Sequence, residues 1–164
     1  MQHVEELCKA ATEEVGQDKA IRIANYLCNG NYAVSGSIEG CEAVEKLGKS
    51  FKARMTVRLS VAGAFHTSYM APAAEKLQAA LAATNIVEPR IPVISNVDAQ
   101  PHSDPATIKA ILAQQLTSPV QWETTVKTLL EKGLQNSYEV GPGAVIAGIF
   151  KRIDKTAQIT NVKA

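Results

Sequence analysis

Apolar positions recur every three to four residues from the start of the chain. In "VEELCKAATEEV", Val4, Leu7, Cys8, Ala11 and Val15 share one face, a spacing that predicts a helix over 4–15. Two β-type runs follow, "AIRIANYL" and "NYAVSG". Asn29-Gly30 separates them, a tight-turn pair that predicts a hairpin. "IEGCEAVEKLGKSF" returns to the helical period with Ile38, Cys41, Val44 and Leu47, and Ser37 stands where a helix cap is needed. "RMTVRLSV" alternates, with Met55, Val57, Leu59 and Val61 on one side, and predicts a strand over 54–61. The order α, β, β, α, β is a ferredoxin-like βαββαβ unit without its first strand.

Helical spacing resumes in "SYMAPAAEKLQAALAAT", where Met70, Ala73, Ala74, Leu77 and Leu81 line one face. "RIPVISNV", bounded by prolines and Asn96, predicts another strand. Asp104 as cap and Pro105 at the first helical position open a helix through "ATIKAILAQQL". In "SPVQWETTVKTLLEKGL", Ser118, Pro119 and Gln121 spell a capping box that predicts a helix start at 118, and Gly133 is the stop. "NSYEVGPGAVIAGIFKRI" reads as strand, tight turn, helix, and "AQITNV" as a last strand. The fold class expected is α/β. The loop around 60–66 divides a partial ferredoxin-like unit, 1–61, from a second α/β part, 62–164.

Composition narrows the function classes. Of 164 residues, 46% are apolar, enough for a real core, and the net charge is +1. There is no basic excess to hold nucleic acid. No apolar run is long enough to cross a bilayer, so no membrane partner is expected. Cys8, Cys28 and Cys41 are an odd number without metal or disulfide spacing, and fit reduced thiols in a cytosolic, mitochondrial or plastid compartment. The acidic N-terminus matches neither a signal nor a transit peptide.

His66, in "SVAGAFHTSYM", is the strongest candidate for chemistry. It lies between an apolar run and a helix, where α/β folds place reactive groups. His3 and His102 read as surface residues. A histidine base needs a nucleophile, and the G-x-S-x-G elbow of hydrolase-like folds is absent. Ser37 has glycines at the wrong spacing and reads better as a cap. Thr67 and Ser68 are too close to His66 in the chain. Cys28 is a weaker alternative nucleophile. "EVGPGAVIAGI" could bind an anion through backbone N–H groups. It lacks the lysine of a Walker loop, and a structural turn is the simpler reading.

"GAFHTSYMAPAAEKL", "IPVISNVDAQ", "QQLTSPVQWETTV" and "YEVGPGAVIAGIFKRI", in this order and spacing, resemble the C-terminal half of the malonyl-CoA:acyl carrier protein transacylases, and are most similar to the plant and algal organellar form. The resemblance implies an α/β-hydrolase-like large subdomain with a ferredoxin-like insertion. It implies malonyl transfer from malonyl-CoA to the phosphopantetheine thiol of acyl carrier protein, for fatty acid synthesis, without a resident cofactor. His66 matches the general base and Gln115 the residue whose backbone carbonyl orients it. Phe65 matches a position linked to malonyl selectivity, and Asn25 a polar residue near the cleft. Ala144 stands where a lysine is common. The family's serine elbow, its carboxylate-binding arginine and its oxyanion loop are not in this sequence. The expectation is an N-terminal half as missing partner and an inert isolated chain, in a mitochondrial matrix or plastid stroma. The alternative is a non-catalytic binding module that self-associates through an exposed sheet edge.

Overall fold

The computed structural model describes residues 1–163. Helix α1, Gln2–Val15, buries Leu7, Cys8, Ala11 and Thr12, the face expected from the apolar spacing. Gly16, at φ 100°, ends it. The Thr12 hydroxyl accepts from the Ile21 N–H (3.1 Å) and so ties α1 to the next element. Strands β1, Ile21–Cys28, and β2, Asn31–Gly36, form the antiparallel hairpin, turning at Gly30 with φ 75°. Gly36 lies so close to β1 that a Cβ there would be 2.4 Å from the Ala20 carbonyl oxygen.

Helix α2, Ile38–Leu47, starts as expected. Ser37 Oγ accepts from the Gly40 N–H (2.9 Å) and donates to the Lys19 carbonyl (2.8 Å). Leu7, Cys8, Ala11, Ile21, Ile23, Ala43 and Val44 make one core between α1, α2 and the hairpin.

Helix α3 covers Ala71–Ala83. Helix α4, Pro105–Gln115, is capped by the Asp104 carboxylate, which accepts from the Thr107 N–H at 2.8 Å. Helix α5 covers Trp122–Glu131 and helix α6 Val145–Ile153. Strands β3, Asn136–Val140, and β4, Gln158–Val162, pair in parallel from Asn136↔Gln158 to Val140↔Val162, with α6 as the crossover. Both α5 and α6 pack on β1, and Val126, Cys28, Ile149 and Phe150 are buried in this second region.

Three sequence expectations are corrected. Residues 54–61 form no strand. They carry no ladder partner, and Met55, Val57, Leu59 and Val61 are 60–71% exposed. A strand is a pairing, and alternation supplies only one side of it. "RIPVISNV" likewise leaves Ile91 and Val93 exposed and keeps a single bridge, Ile94↔Pro101. The helix expected from Ser118 begins at Trp122 instead. Residues 116–121 are drawn off into hydrogen bonds with β1, His66 and Asn96.

Candidate active site

The site is built where the loop before α3 meets the turn between α4 and α5. His66 sits in the left-handed region, φ 64°, a conformation that costs a non-glycine residue roughly 1–2 kcal/mol. Neighbouring bonds hold it there. Its N–H donates to the Leu116 carbonyl (2.9 Å). Its Nδ1 lies 2.9 Å from the Gln115 carbonyl oxygen and 3.1 Å from that of Ser118.

Both carbonyl oxygens can only accept, so Nδ1 carries the ring proton. The neutral ring then has its lone pair on Nε2, which has no hydrogen-bond partner among the described residues. This is the tautomer of a base ready to take a proton. Two backbone carbonyls stand here where a carboxylate stands beside many histidine bases: they fix the tautomer and would stabilise an imidazolium.

Next to His66 the chain is anchored. Thr67 is 2% exposed; its hydroxyl donates to the Ala64 carbonyl and caps the short turn that leads into α3. The Tyr69 hydroxyl donates to the Asp18 carbonyl (2.8 Å) and so fastens this loop to the turn after α1. Phe65, the residue before His66, is 41% exposed. Its ring and the Met70 sulfur both lie within 4 Å of the point where a Gly63 Cβ would stand.

The turn that holds His66 also joins β1. The hairpin register shifts between Ile23 and Asn25, a β-bulge. At that step the Ala24 carbonyl accepts from the Val120 N–H (2.8 Å), and the Tyr26 N–H donates to the Val120 carbonyl (2.9 Å). Asn25, half-buried, is bridged to Val120, two residues from Ser118. Of the four residues singled out from the sequence, His66 and Gln115 touch directly, Phe65 is the chain neighbour of His66, and Asn25 is linked through Val120.

Two contributors were not among the candidates read from the sequence. The Ser118 carbonyl is the second acceptor for Nδ1. Its availability could have been read from Pro119, since a residue before proline is pushed to extended backbone. Asn96 was read only as a strand boundary. Its side-chain amide donates to Gln115 Oε1 (3.3 Å), and its carbonyl accepts from the Gln121 N–H (2.8 Å).

Other candidates fall away. Cys28 is 1% exposed and cannot meet a substrate. Burial pushes the Cys8 thiol up to about 11, with Glu5 adding to the shift, so it stays protonated at neutral pH. Burial raises Cys41 as well. His3 pairs with Glu6 (3.5 Å) and His102 with Asp98 (2.8 Å). The N-terminus of α6 already holds an anion, the Glu139 carboxylate, bonded to the Ile146 and Ala147 N–H groups at 2.9 and 3.0 Å. The Gly-Pro-Gly segment, with Gly141 at φ 136° and Gly143 at φ 84°, is a structural turn.

No protein-family model matches the chain. Among curated proteins it is 37% identical over 151 residues to the malonyl CoA-acyl carrier protein transacylase of Bacillus subtilis (strain 168), covering 92% of this chain and 48% of that protein. With the Staphylococcus aureus (strain COL) protein of the same name it shares 32% identity over 160 residues, covering 98% of this chain and 51% of that one. Among solved structures, a malonyl-transacylase in complex with a type II PKS acyl-carrier protein superposes with TM-score 0.92 at 29% identity, over 99% of this chain and 51% of that one. The transacylase of Xanthomonas oryzae pv. oryzae superposes with TM-score 0.89 at 34% identity, over 96% and 49%. The chain spans about half the length of the relatives it matches, and the similarity is to their C-terminal half. Its α/β fold is that of the corresponding half of these enzymes.

Proposed function

We propose that this chain is the base-bearing half of a malonyl-CoA:acyl carrier protein transacylase. The half of its relatives' length that it does not span would bring the nucleophilic serine, the carboxylate-binding arginine and the oxyanion donors. One observation supports the reading above the others: His66 has Nδ1 held by two carbonyls and Nε2 free.

In this reading His66 Nε2 takes the proton of the serine hydroxyl as its oxygen attacks the malonyl thioester carbonyl. The imidazolium returns that proton to the departing coenzyme A thiol. In the second half-reaction the same nitrogen deprotonates the phosphopantetheine thiol of acyl carrier protein, which attacks the malonyl-serine ester. Serine then recovers the proton. Gln115 and Ser118 would stabilise the imidazolium through Nδ1–H. Phe65 would crowd a methyl branch on the acyl group, worth about 1–3 kcal/mol of discrimination. Asn25 would face the cleft between the part before residue 62 and the part after it. Malonyl-CoA is a substrate and phosphopantetheine arrives on the carrier, so no resident cofactor is invoked. Acyl carrier protein as partner is supported by the neighbour solved with one. A plant or alga, in plastid stroma or mitochondrial matrix, is the setting that the sequence resemblance implies.

The test pairs this chain with the separately expressed N-terminal half of the Bacillus subtilis relative. The reading expects malonyl transfer to holo-acyl carrier protein from the mixture, none from His66→Ala in the mixture, and no malonyl adduct by intact mass on this chain alone. An adduct on the isolated chain, or full transfer with His66→Ala, would overturn it.

A second reading is a non-catalytic module that binds or oligomerises. The exposed alternation of Met55, Val57, Leu59 and Val61 favours it. Sedimentation of the isolated chain decides: a defined oligomer that refuses the complementing half supports the module, and a chain that accepts that half supports the enzyme.

A further inference from the structure

We infer that Asn96 is a positioning residue for His66, acting through the turn between α4 and α5. The inference rests on the reading of His66 as the base. His66 is held by three carbonyls from a four-residue stretch, those of Gln115, Leu116 and Ser118. That stretch runs from the last residue of α4 into the turn that follows and has no continuous ladder of its own. The Thr117 and Ser118 N–H groups share the Gln114 carbonyl, each at 3.0 Å, and Val120 is taken by β1. What remains is Asn96, which grips both ends. Its side chain holds Gln115 Oε1 at 3.3 Å, and its carbonyl holds the Gln121 N–H at 2.8 Å.

A brace must itself be rigid, and this one is. The Ser95 N–H donates to the Gln100 carbonyl (2.9 Å), the Ala99 N–H to the Ser95 carbonyl (3.0 Å), and the Val97 N–H to Ser95 Oγ (3.0 Å). Ala99, in the left-handed region at φ 58°, is fully buried at the centre of this loop. The loop's shape is over-determined, so strain at Ala99 persists. Gln115 carries two functions on one residue: its side chain is gripped by Asn96, and its backbone carbonyl faces Nδ1. Fixing the first fixes the aim of the second. Loss of the Asn96 amide frees the Gln115 end, and Nδ1–H keeps only the Ser118 acceptor in good geometry.

The tautomer of His66 reads this directly, without any activity. Nitrogen-15 spectra of the imidazole are recorded for the wild-type chain, Asn96→Ala, Gln115→Ala and the double variant, at a pH where the neutral ring predominates. The expected result is an Nδ1–H form in the wild type. Its ratio to the Nε2–H form falls about five-fold in each single variant, the scale of one ordinary hydrogen bond. The double variant falls no further, because both changes remove the same bond. Gln115→Ala keeps its backbone carbonyl, so it carries the same expectation should Asn96→Ala fail to fold. A wild type in the Nδ1–H form with both single variants unchanged overturns the role of Asn96 and leaves the base reading standing. A wild type in the Nε2–H form overturns the His66 geometry, and the function proposed from it falls as well.

Discussion

At the scale of single residues, His66 is placed at a backbone cost for the sake of its ring. Its φ of 64° suits glycine better than any β-carbon-bearing residue. The ring repays this through Nδ1, which meets two carbonyls at 2.9 and 3.1 Å. Removing the ring while keeping a β-carbon leaves only the cost. His66→Gly is therefore expected to be more stable than His66→Ala by about 1 kcal/mol, with both inactive in the complemented mixture. Equal urea midpoints with equal slopes for the two variants would refute the strain. Cys8 has the opposite logic, a reactive group silenced by its surroundings. Its thiol titrates normally at 9.0 and is pushed to about 11, first by burial and then by Glu5. Below pH 9 the thiol is neutral in folded and unfolded chains alike, and its contribution to stability is fully present. Between 9 and 11 the unfolded chain releases the proton and the folded chain holds it, so stability falls as pH rises. The loss from this group is about 2–3 kcal/mol over that window. Tyr26 and Cys41 are shifted in the same direction, both chiefly by burial. The slope of Cys8→Ala, set against the wild type, isolates the Cys8 share: denaturation midpoints between pH 9 and 11 should decline less steeply in the variant. Parallel slopes would count against a buried neutral thiol.

At the scale of elements, what could be read in advance was what is decided locally. Ser37 and Asp104 cap α2 and α4 because a short polar side chain reaches N–H groups three residues on. Asn29-Gly30 turns the hairpin because Gly30 takes φ 75° without penalty. The strands expected at 54–61 and in "RIPVISNV" failed because pairing is decided by a partner, which a pattern in one segment cannot specify. The helix start at Ser118 failed for a related reason. A cap worth about 1 kcal/mol competes there with bonds from Val120 to β1, from Gln121 to Asn96 and from Ser118 to His66, and loses. The site was legible to the same extent. His66 stood out by its place between an apolar run and a helix, whereas the Ser118 carbonyl acts through the backbone and Asn96 through a pairing with Gln115, nineteen residues away, which its own segment does not announce. The hairpin offers a direct test of close approach. A Cβ on Gly36 would sit 2.4 Å from the Ala20 carbonyl oxygen and 2.7 Å from Ile21 Cα. Both are backbone atoms, so no side chain can swing away. Gly36→Ala should cost about 3 kcal/mol or more and loosen the start of β1, read by chemical denaturation and amide exchange at Ile21 and Ile23. A loss under about 1 kcal/mol would mean that the two strands are not in this contact.

At the scale of the whole molecule, the question is why so much apolar surface faces water. Met55, Val57, Leu59 and Val61 are 60–71% exposed in a run without a strand partner among the described residues. Arg58, in the same run, is engaged with Glu45 of α2 at 2.9 Å. The run is thus tied to α2 through Arg58 while its large apolar side chains stay open. Tyr138 and Val140 on β3 are 70% and 76% exposed. Fully burying a Val or Leu is worth about 1.5–3 kcal/mol, so a partner that covers this run gains several kcal/mol from these side chains alone. A residue exposed in the isolated chain has little effect on that chain's stability, usually within about 0.5 kcal/mol. The same residue inside an interface should matter greatly. Leu59→Asp therefore separates the two roles. It is expected to leave the melting temperature of the isolated chain within about 3 °C of the wild type. It should also weaken binding of the complementing N-terminal half by about thirty-fold, the equivalent of about 2 kcal/mol, and reduce any self-association along with it. Calorimetric titration of the two halves measures the first loss and sedimentation the second. If Leu59→Asp binds the complementing half as tightly as the wild type does, residues 54–61 face solvent in the complex of the two halves too. The exposed run would then have to be explained by self-association alone.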